Sequence, residues 1–218
     1  MDELAALRRE LCELHAELPR NGLVTWTSGN LSARVPDAEL MVIKASGIPY
    51  DELTSDAMVV CDLHGEPIEG TLAPSSDAAT HGYVYRHMPE VGGIVHTHSA
   101  YATAWAIRGE PIPCVMTAMA DEFGVEIPVG PFALIGDEEL GRGVVETIGE
   151  HRSRAVLMRS HGVFAVGESA REAVKTAVMC EDVARTVHLA RMLGPVEPLA
   201  AVQVDALYDR YQNVYGQR

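Results

Sequence analysis

The sequence predicts a single α/β domain, with helices packing on a sheet of mixed direction. Two observations lead there. Leu4, Leu7, Leu11, Leu14 and Leu18 recur at the spacing of an amphipathic helix, the first of several such stretches. Between the helical stretches stand short apolar runs at 41–44, 58–61, 91–96 and 155–158, each the length of a strand. No internal repeat, low-complexity tract or linker divides the chain. Residues 1–218 therefore read as one domain, a length that one hydrophobic core can serve.

In chain order, the first helix covers residues 2–18. Asp2 and Glu3 suit the positive end of its dipole, and Pro19 with the Asn21-Gly22 turn ends it. A loop, Thr25-Trp26-Thr27-Ser28-Gly29-Asn30, leads to an alternating strand over 31–35. The strand at 41–44 runs into Ala45-Ser46-Gly47, and the strand at 58–61 meets His64-Gly65, a turn toward a paired strand. Pro74-Ser75-Ser76-Asp77 has the hydroxyls and carboxylate of a helix start, and that helix runs to His87. After the central strand at 91–96, Ser99 opens a short helix through Ala106, and Asp137-Glu138-Glu139 opens another to about Glu150. The strand at 155–158 ends in Ser160-His161-Gly162. A long helix over 168–193 starts at Glu168-Ser169 and stops at Gly194-Pro195, and the tail from about Val202 is helical.

Composition narrows the function. The hydrophobic fraction of 47% and charged fraction of 22% are those of a soluble globular protein. No run approaches the length of a membrane span, and the N-terminus lacks the basic and apolar regions of a secretory signal. Cys12, Cys61, Cys114 and Cys180 lie far apart without a C-x-x-C pair, so free thiols in a reducing cytoplasm are expected. The formal net charge of −14 argues against a nucleic-acid partner. It also means that any phosphate site must be built locally, from backbone N–H groups, hydroxyls and a placed lysine.

The chemistry begins at His96-Thr97-His98. Residues two apart on an extended strand share a face, so both imidazoles can reach one ion while Thr97 points away. A third and fourth group would come from His161 and Asp77. Spacing alone favours a turn-satisfied histidine and a helix cap for these two. His15, His64, His81, His87, His151 and His188 show no ligand spacing and read as surface or structural. Ser28-Gly29-Asn30, Ser46-Gly47 behind Lys44, and Ser75-Ser76 each pair small residues with donors, as anion-binding turns do.

Five motifs now stand in a row: Thr27-Ser28-Gly29-Asn30, Lys44-Ala45-Ser46-Gly47, Pro74-Ser75-Ser76-Asp77, His96-Thr97-His98-Ser99 and Ser160-His161-Gly162. In this order they resemble the class II aldolase and ribulose-phosphate 4-epimerase family, from the first helix to Gln217. The resemblance implies a class II aldolase-like fold, a mostly antiparallel (mixed) sheet flanked by helices on both faces. It implies His96, His98 and His161 as metal ligands, with Asp77 also facing the metal. The metal would be Zn2+, or Mn2+ or Co2+, since histidines accept several divalent ions. Ser28, Gly29, Asn30, Lys44, Ser46, Gly47, Ser75 and Ser76 match residues that hold the substrate and its phosphate.

Within the family the chain is most similar to the bacterial L-ribulose-5-phosphate 4-epimerases. Asp77 is aspartate, as in those epimerases, where fuculose-phosphate aldolases carry glutamate. Ala120-Asp121 matches the end of their T-H-A-D motif, and Tyr215-Gly216-Gln217 matches their C-terminal tyrosine. The resemblance makes Asp121 and Tyr215 an acid/base pair reaching the metal from a neighbouring subunit of a cytoplasmic homotetramer that acts on a small phosphorylated sugar in pentose catabolism. Two features depart: Met119 replaces the motif's histidine, and the segment between Asp137 and Arg154 is short. Three other readings are an aldolase acting on L-fuculose 1-phosphate or a related ketose 1-phosphate, a non-catalytic domain like the head of adducin, and a metal-dependent amidohydrolase. The three retained histidines weigh against the second, and the short chain against the third.

Overall fold

The computed structural model describes residues 2–214. Among these, seven strands form one sheet in the order β3-β2-β1-β4-β7-β6-β5. They are β1 (Asn30–Arg34), β2 (Leu40–Lys44), β3 (Met58–Asp62), β4 (Gly93–Thr97), β5 (Val129–Gly130), β6 (Ala155–Met158) and β7 (Gly162–Gly167). Every neighbouring pair is antiparallel except β5 with β6, so the sheet is mixed and mostly antiparallel, as expected. The helices are α1 (Asp2–His15), α2 (Glu17–Arg20), α3 (Ala78–His87), α4 (Ala100–Arg108), α5 (Thr117–Phe123), α6 (Glu139–Ile148), α7 (Ala170–Leu193) and α8 (Ala201–Val214).

Helices cover both faces. On one, Ser32 of β1 reaches His81 and Tyr85 of α3, and α6 packs beside α3. On the other, α1 lies over β1 while α7 runs along β4 and β7. The contact between α7 and β4 is backbone-close: a Cβ on Gly93 would sit 2.4 Å from Ala170 Cα. β4 and β7 are buried on both faces, which explains their mostly apolar runs, while β1 alternates and buries its polar Asn30 and Ser32 on hydrogen bonds to Asp77 and His81.

The first helix breaks at Ala16 and resumes as α2, which carries Pro19 through to Arg20. Proline is tolerated there because a first-turn N–H has no helical acceptor to lose. Leu11, Leu14 and Leu18 are the buried members of the predicted stripe. The His64-Gly65 turn forms, but its return is an isolated bridge from Cys61 to Pro67, a residue with no N–H for a ladder. Among the strands and α-helices, three are absent from the sequence reading: β7, a short apolar run between glycines; α5, seven residues long; and the two-residue β5.

His15 ties α1 to the sheet. It is fully buried, with Nδ1 2.7 Å from Leu11 O and Nε2 accepting the Leu31 N–H at 3.2 Å. Only a neutral ring makes both contacts. Burial holds the pKa down from 6.5 to about 4, with Leu11 O opposing and the Lys44 charge assisting. The unfolded chain therefore binds the extra proton first. His15's contribution is complete above pH 6.5 and falls by about 3 kcal/mol as the pH drops toward 4, levelling off below that. Urea unfolding of the metal-free protein across this window should give a shallower acid decline for H15N than for wild type. Parallel profiles would refute the assignment.

Candidate metal centre

The centre is set by sheet register. In the antiparallel ladders His96 of β4 stands opposite Asn30 of β1 and opposite Phe164 of β7. The three side chains are thus abreast on one face. The Phe164 ring stacks on the His96 imidazole at 4.3 Å between centroids. His96 Nδ1 lies 2.9 Å from Val163 O. That contact fixes the Nδ1–H tautomer and leaves Nε2 facing the cavity, the arrangement by which a second partner orients a metal-ligating histidine.

His98 follows just past the end of β4, and its Nε2 lies 3.0 Å from His96 Nε2. The turn after it is held from outside: Glu181 of α7 accepts the N–H groups of Tyr101 and Ala102 at 2.9 Å each, so a distant carboxylate serves the α4 N-terminus and the Ser99 side chain does not. His161 sits in the three-residue loop joining β6 to β7. Ser160 before it takes the left-handed conformation, at φ 57°, a strained choice for a residue with a side chain. Gly162 after it admits the close packing: a Cβ there would lie 2.4 Å from Thr97 O and 2.8 Å from His98 Cδ2.

One nitrogen from each of His96, His98 and His161 falls within 4.8 Å of the others. Neighbouring ligands around a tetrahedral zinc are about 3.4 Å apart, so the cluster fits a divalent ion with small side-chain adjustment. His161 Nδ1 is buried with no hydrogen-bond partner among the described residues. Burial, partly opposed by Asp77, lowers the His96 pKa to about 4, and burial lowers that of His161 as well. Both rings are neutral at pH 7 and have a lone pair for a metal.

Asp77 begins α3, yet its side chain makes no cap. Its Oδ2 accepts instead from Asn30 Nδ2 at 2.6 Å. Burial works against its ionisation but is outweighed by the His96 and His81 rings and the Asn30 amide, so its carboxyl lies below the usual range. Asp77 borders the histidine cavity, while the close cluster of ligand atoms is the three histidines.

That cavity, about 280 Å³, is also lined by Ser28, Gly29, Asn30, Lys44, Ser46, Gly47, Ser75 and Ser76. Every residue that the sequence assigned to substrate or phosphate is therefore beside the histidines. Hydrogen bonds bring the segments together. Asn30 Nδ2 donates to Ser75 Oγ at 3.0 Å, Ser75 N to Lys44 O at 2.9 Å, and Ser46 N to Ala73 O at 2.9 Å. Tyr50 Oη meets the carbonyls of Ser28 and Gly29 at 3.0 Å each, a brace that no sequence pattern announced. Gly29, at φ 75°, packs so closely that a Cβ would come within 2.8 Å of His96 O. Lys44 is buried, its Nζ donating to Ala45 O at 3.3 Å and lying 5.4 Å from the Tyr50 ring centroid. Burial lowers its pKa.

Asp121, on α5, does not line this cavity, and Tyr215 lies outside the described residues. Met119, which stands for the expected histidine, is fully buried in the core and packs there. His81 is buried with Nδ1 2.7 Å from Ser32 Oγ, a structural histidine behind Asp77. A larger and more apolar groove of about 560 Å³, between the loop segments 111–114 and 124–126 and the start of α8, holds none of the candidate ligands.

Known proteins give the same picture. The class II aldolase and adducin N-terminal domain family matches residues 9–188. A solved L-fuculose 1-phosphate aldolase is 28% identical with a TM-score of 0.88, over 95% of this chain and 96% of its own. YgbL from Klebsiella pneumoniae, described as a putative aldolase/epimerase/decarboxylase, is 31% identical with a TM-score of 0.80, over 94% and 98%. The L-fuculose-1-phosphate aldolase of Thermus thermophilus is 26% identical with a TM-score of 0.73, over 86% and 96%. A match across the strands, the histidine cavity and most of the chain's length shows that this protein belongs to the class II aldolase and adducin N-terminal domain family.

Proposed function

We propose that the chain is a divalent-metal-dependent enzyme of retro-aldol and aldol chemistry on a ketose phosphate, and that it interconverts L-ribulose 5-phosphate and D-xylulose 5-phosphate in pentose catabolism. One observation carries the reading. A three-histidine cluster and a cradle of hydroxyls, glycine turns and one buried lysine share a single cavity. A non-catalytic binding domain has no need of both.

Inverting C4 of a 2-ketose by direct deprotonation is difficult, because that proton is not next to the carbonyl. Breaking C3–C4 and re-forming it on the other face avoids the problem. His96, His98 and His161 would hold a divalent ion, which would supply Lewis-acid stabilisation of the charge that cleavage generates. The chain's own groups do the rest. Lys44 and the donors around Ser28, Ser46 and Ser75 anchor the phosphate, so the cleaved aldehyde turns about a fixed end. Asn30 holds Asp77 at the cavity edge, where its carboxylate accepts or returns a hydroxyl proton. Re-addition from either face needs an acid/base on each side of the aldehyde, and Asp121 and Tyr215 are assigned to it. Asp121 lies away from its own chain's cavity, so this assignment calls for a neighbouring copy in a homotetramer.

The second reading is an aldolase on L-fuculose 1-phosphate, favoured by the 28% identity to a protein of that name. The aspartate at position 77 and the Ala120-Asp121 pair favour the epimerase.

Replacing His98 with Ala should abolish stoichiometric zinc by elemental analysis and cut turnover at least about a hundredfold; full turnover without bound metal would refute the centre. An NMR time course of metal-loaded enzyme with L-ribulose 5-phosphate should give D-xylulose 5-phosphate without free fragments. Accumulating dihydroxyacetone and glycolaldehyde phosphate would establish the aldolase instead. Replacing Tyr215 with Phe should slow turnover and leave the metal in place, and an unchanged rate would remove Tyr215 from the chemistry.

A further inference from the structure

Helix α8 is held in an unusual way. Val204 is its one buried residue among those described, with Leu207 partly buried against the core beside it. Such an element belongs to the low-stability end of a fold unless something else fastens it. Polar contacts do. Near its start, Arg152 Nη1 reaches Asp205 Oδ1 at 2.7 Å and Gly124 O at 3.2 Å, with the guanidinium 5.0 Å from the Tyr208 ring centroid. Toward its end, Glu122 of α5 meets Lys175 Nζ of α7 at 3.1 Å. The same ammonium lies 5.2 Å from the ring centroid of Tyr211 on α8. Gln212 Nε2 adds a long contact, 3.5 Å, to Asp121 O.

The second clasp is placed with respect to chemistry. Glu122 is the residue after Asp121, and Tyr211 stands four positions before Tyr215 in the sequence. The Glu122 side chain is 7% exposed and that of Lys175 is 41% exposed. A buried carboxylate with one cationic partner is a strict constraint, because removing the partner strands the charge.

We propose that Glu122, Lys175 and Tyr211 form a positioning cluster that fixes α5 and the end of α8 together against α7. Asp121 and the turn leading into Tyr215 are then presented as one rigid unit to a neighbouring copy's site, a role that rests on the acid/base reading of those two residues. Glu122 and Lys175 touch no substrate in this scheme. They set where the acid/base groups stand, so their loss should act on kcat.

The test compares wild type, K175M, K175R, E122Q/K175M and D121N on L-ribulose 5-phosphate, with bound metal and amide exchange of residues 201–214 measured in parallel. K175M should lose about tenfold or more in kcat with KM and metal content unchanged, and α8 should exchange faster. K175R should restore both. E122Q/K175M strands no charge, so it should fold securely yet remain slow, which covers the case of a poorly folded K175M. Full kcat in the double variant beside a slow D121N overturns the cluster alone, as does a slow K175M with unchanged α8 exchange. Full kcat in D121N, or no turnover by wild type, overturns the acid/base reading and the cluster's role with it.

Discussion

Antiparallel pairing of β1, β4 and β7 sets Asn30, His96 and Phe164 side by side, and the centre depends on that row. A one-residue slip on β4 would turn both histidines to the α7 face. The register is resistant to such a slip because both faces of β4 are buried and Gly93 fits closely against the start of α7. From the row the site grows outward. Asn30 fastens Asp77 and Ser75, Phe164 stacks on His96, and the carbonyl of Val163 fixes its tautomer.

The electrostatics are local. A chain of net charge −14 repels a sugar phosphate at long range, and a single buried lysine beside hydroxyls and turn N–H groups opposes that inside the cavity. Burial makes each of these polar groups stronger toward a bound anion, since little water competes. The same burial keeps His96 and His161 neutral, as ligands for a cation must be. One cavity thus presents neutral imidazoles on one side and hydrogen-bond donors on the other, as the proposed metal and phosphate require.

Much of this was legible in the chain. His96 and His98 announce themselves because strand geometry links residues two apart, and the buried helix stripe of Leu11, Leu14 and Leu18 follows its period. His161 did not, since no local rule connects it to His98; only the β4–β7 ladder does, and β7 was hidden as four apolar residues between glycines. Asp77 was ambiguous for a physical reason. A carboxylate at a helix start serves equally as a cap, and only the Asn30 amide shows that it turns toward the cavity instead. Tyr50 and Phe164 could not be found from sequence, because one acts on backbone carbonyls and the other through register. The Glu122–Lys175 pair was equally silent, as its partners sit on different helices.

The loop carrying His161 bears on how the protein is made. A ribosome delivers His96 and His98 long before His161, and two histidines alone hold a divalent ion weakly. The third nitrogen comes within reach only when β7 zips onto β4, with Gly162 against Thr97 O. A nascent chain therefore has no competent metal trap until most of the sheet is in place. For the proposed metal, capture would be a late event in biogenesis, following the pairing of the central strands.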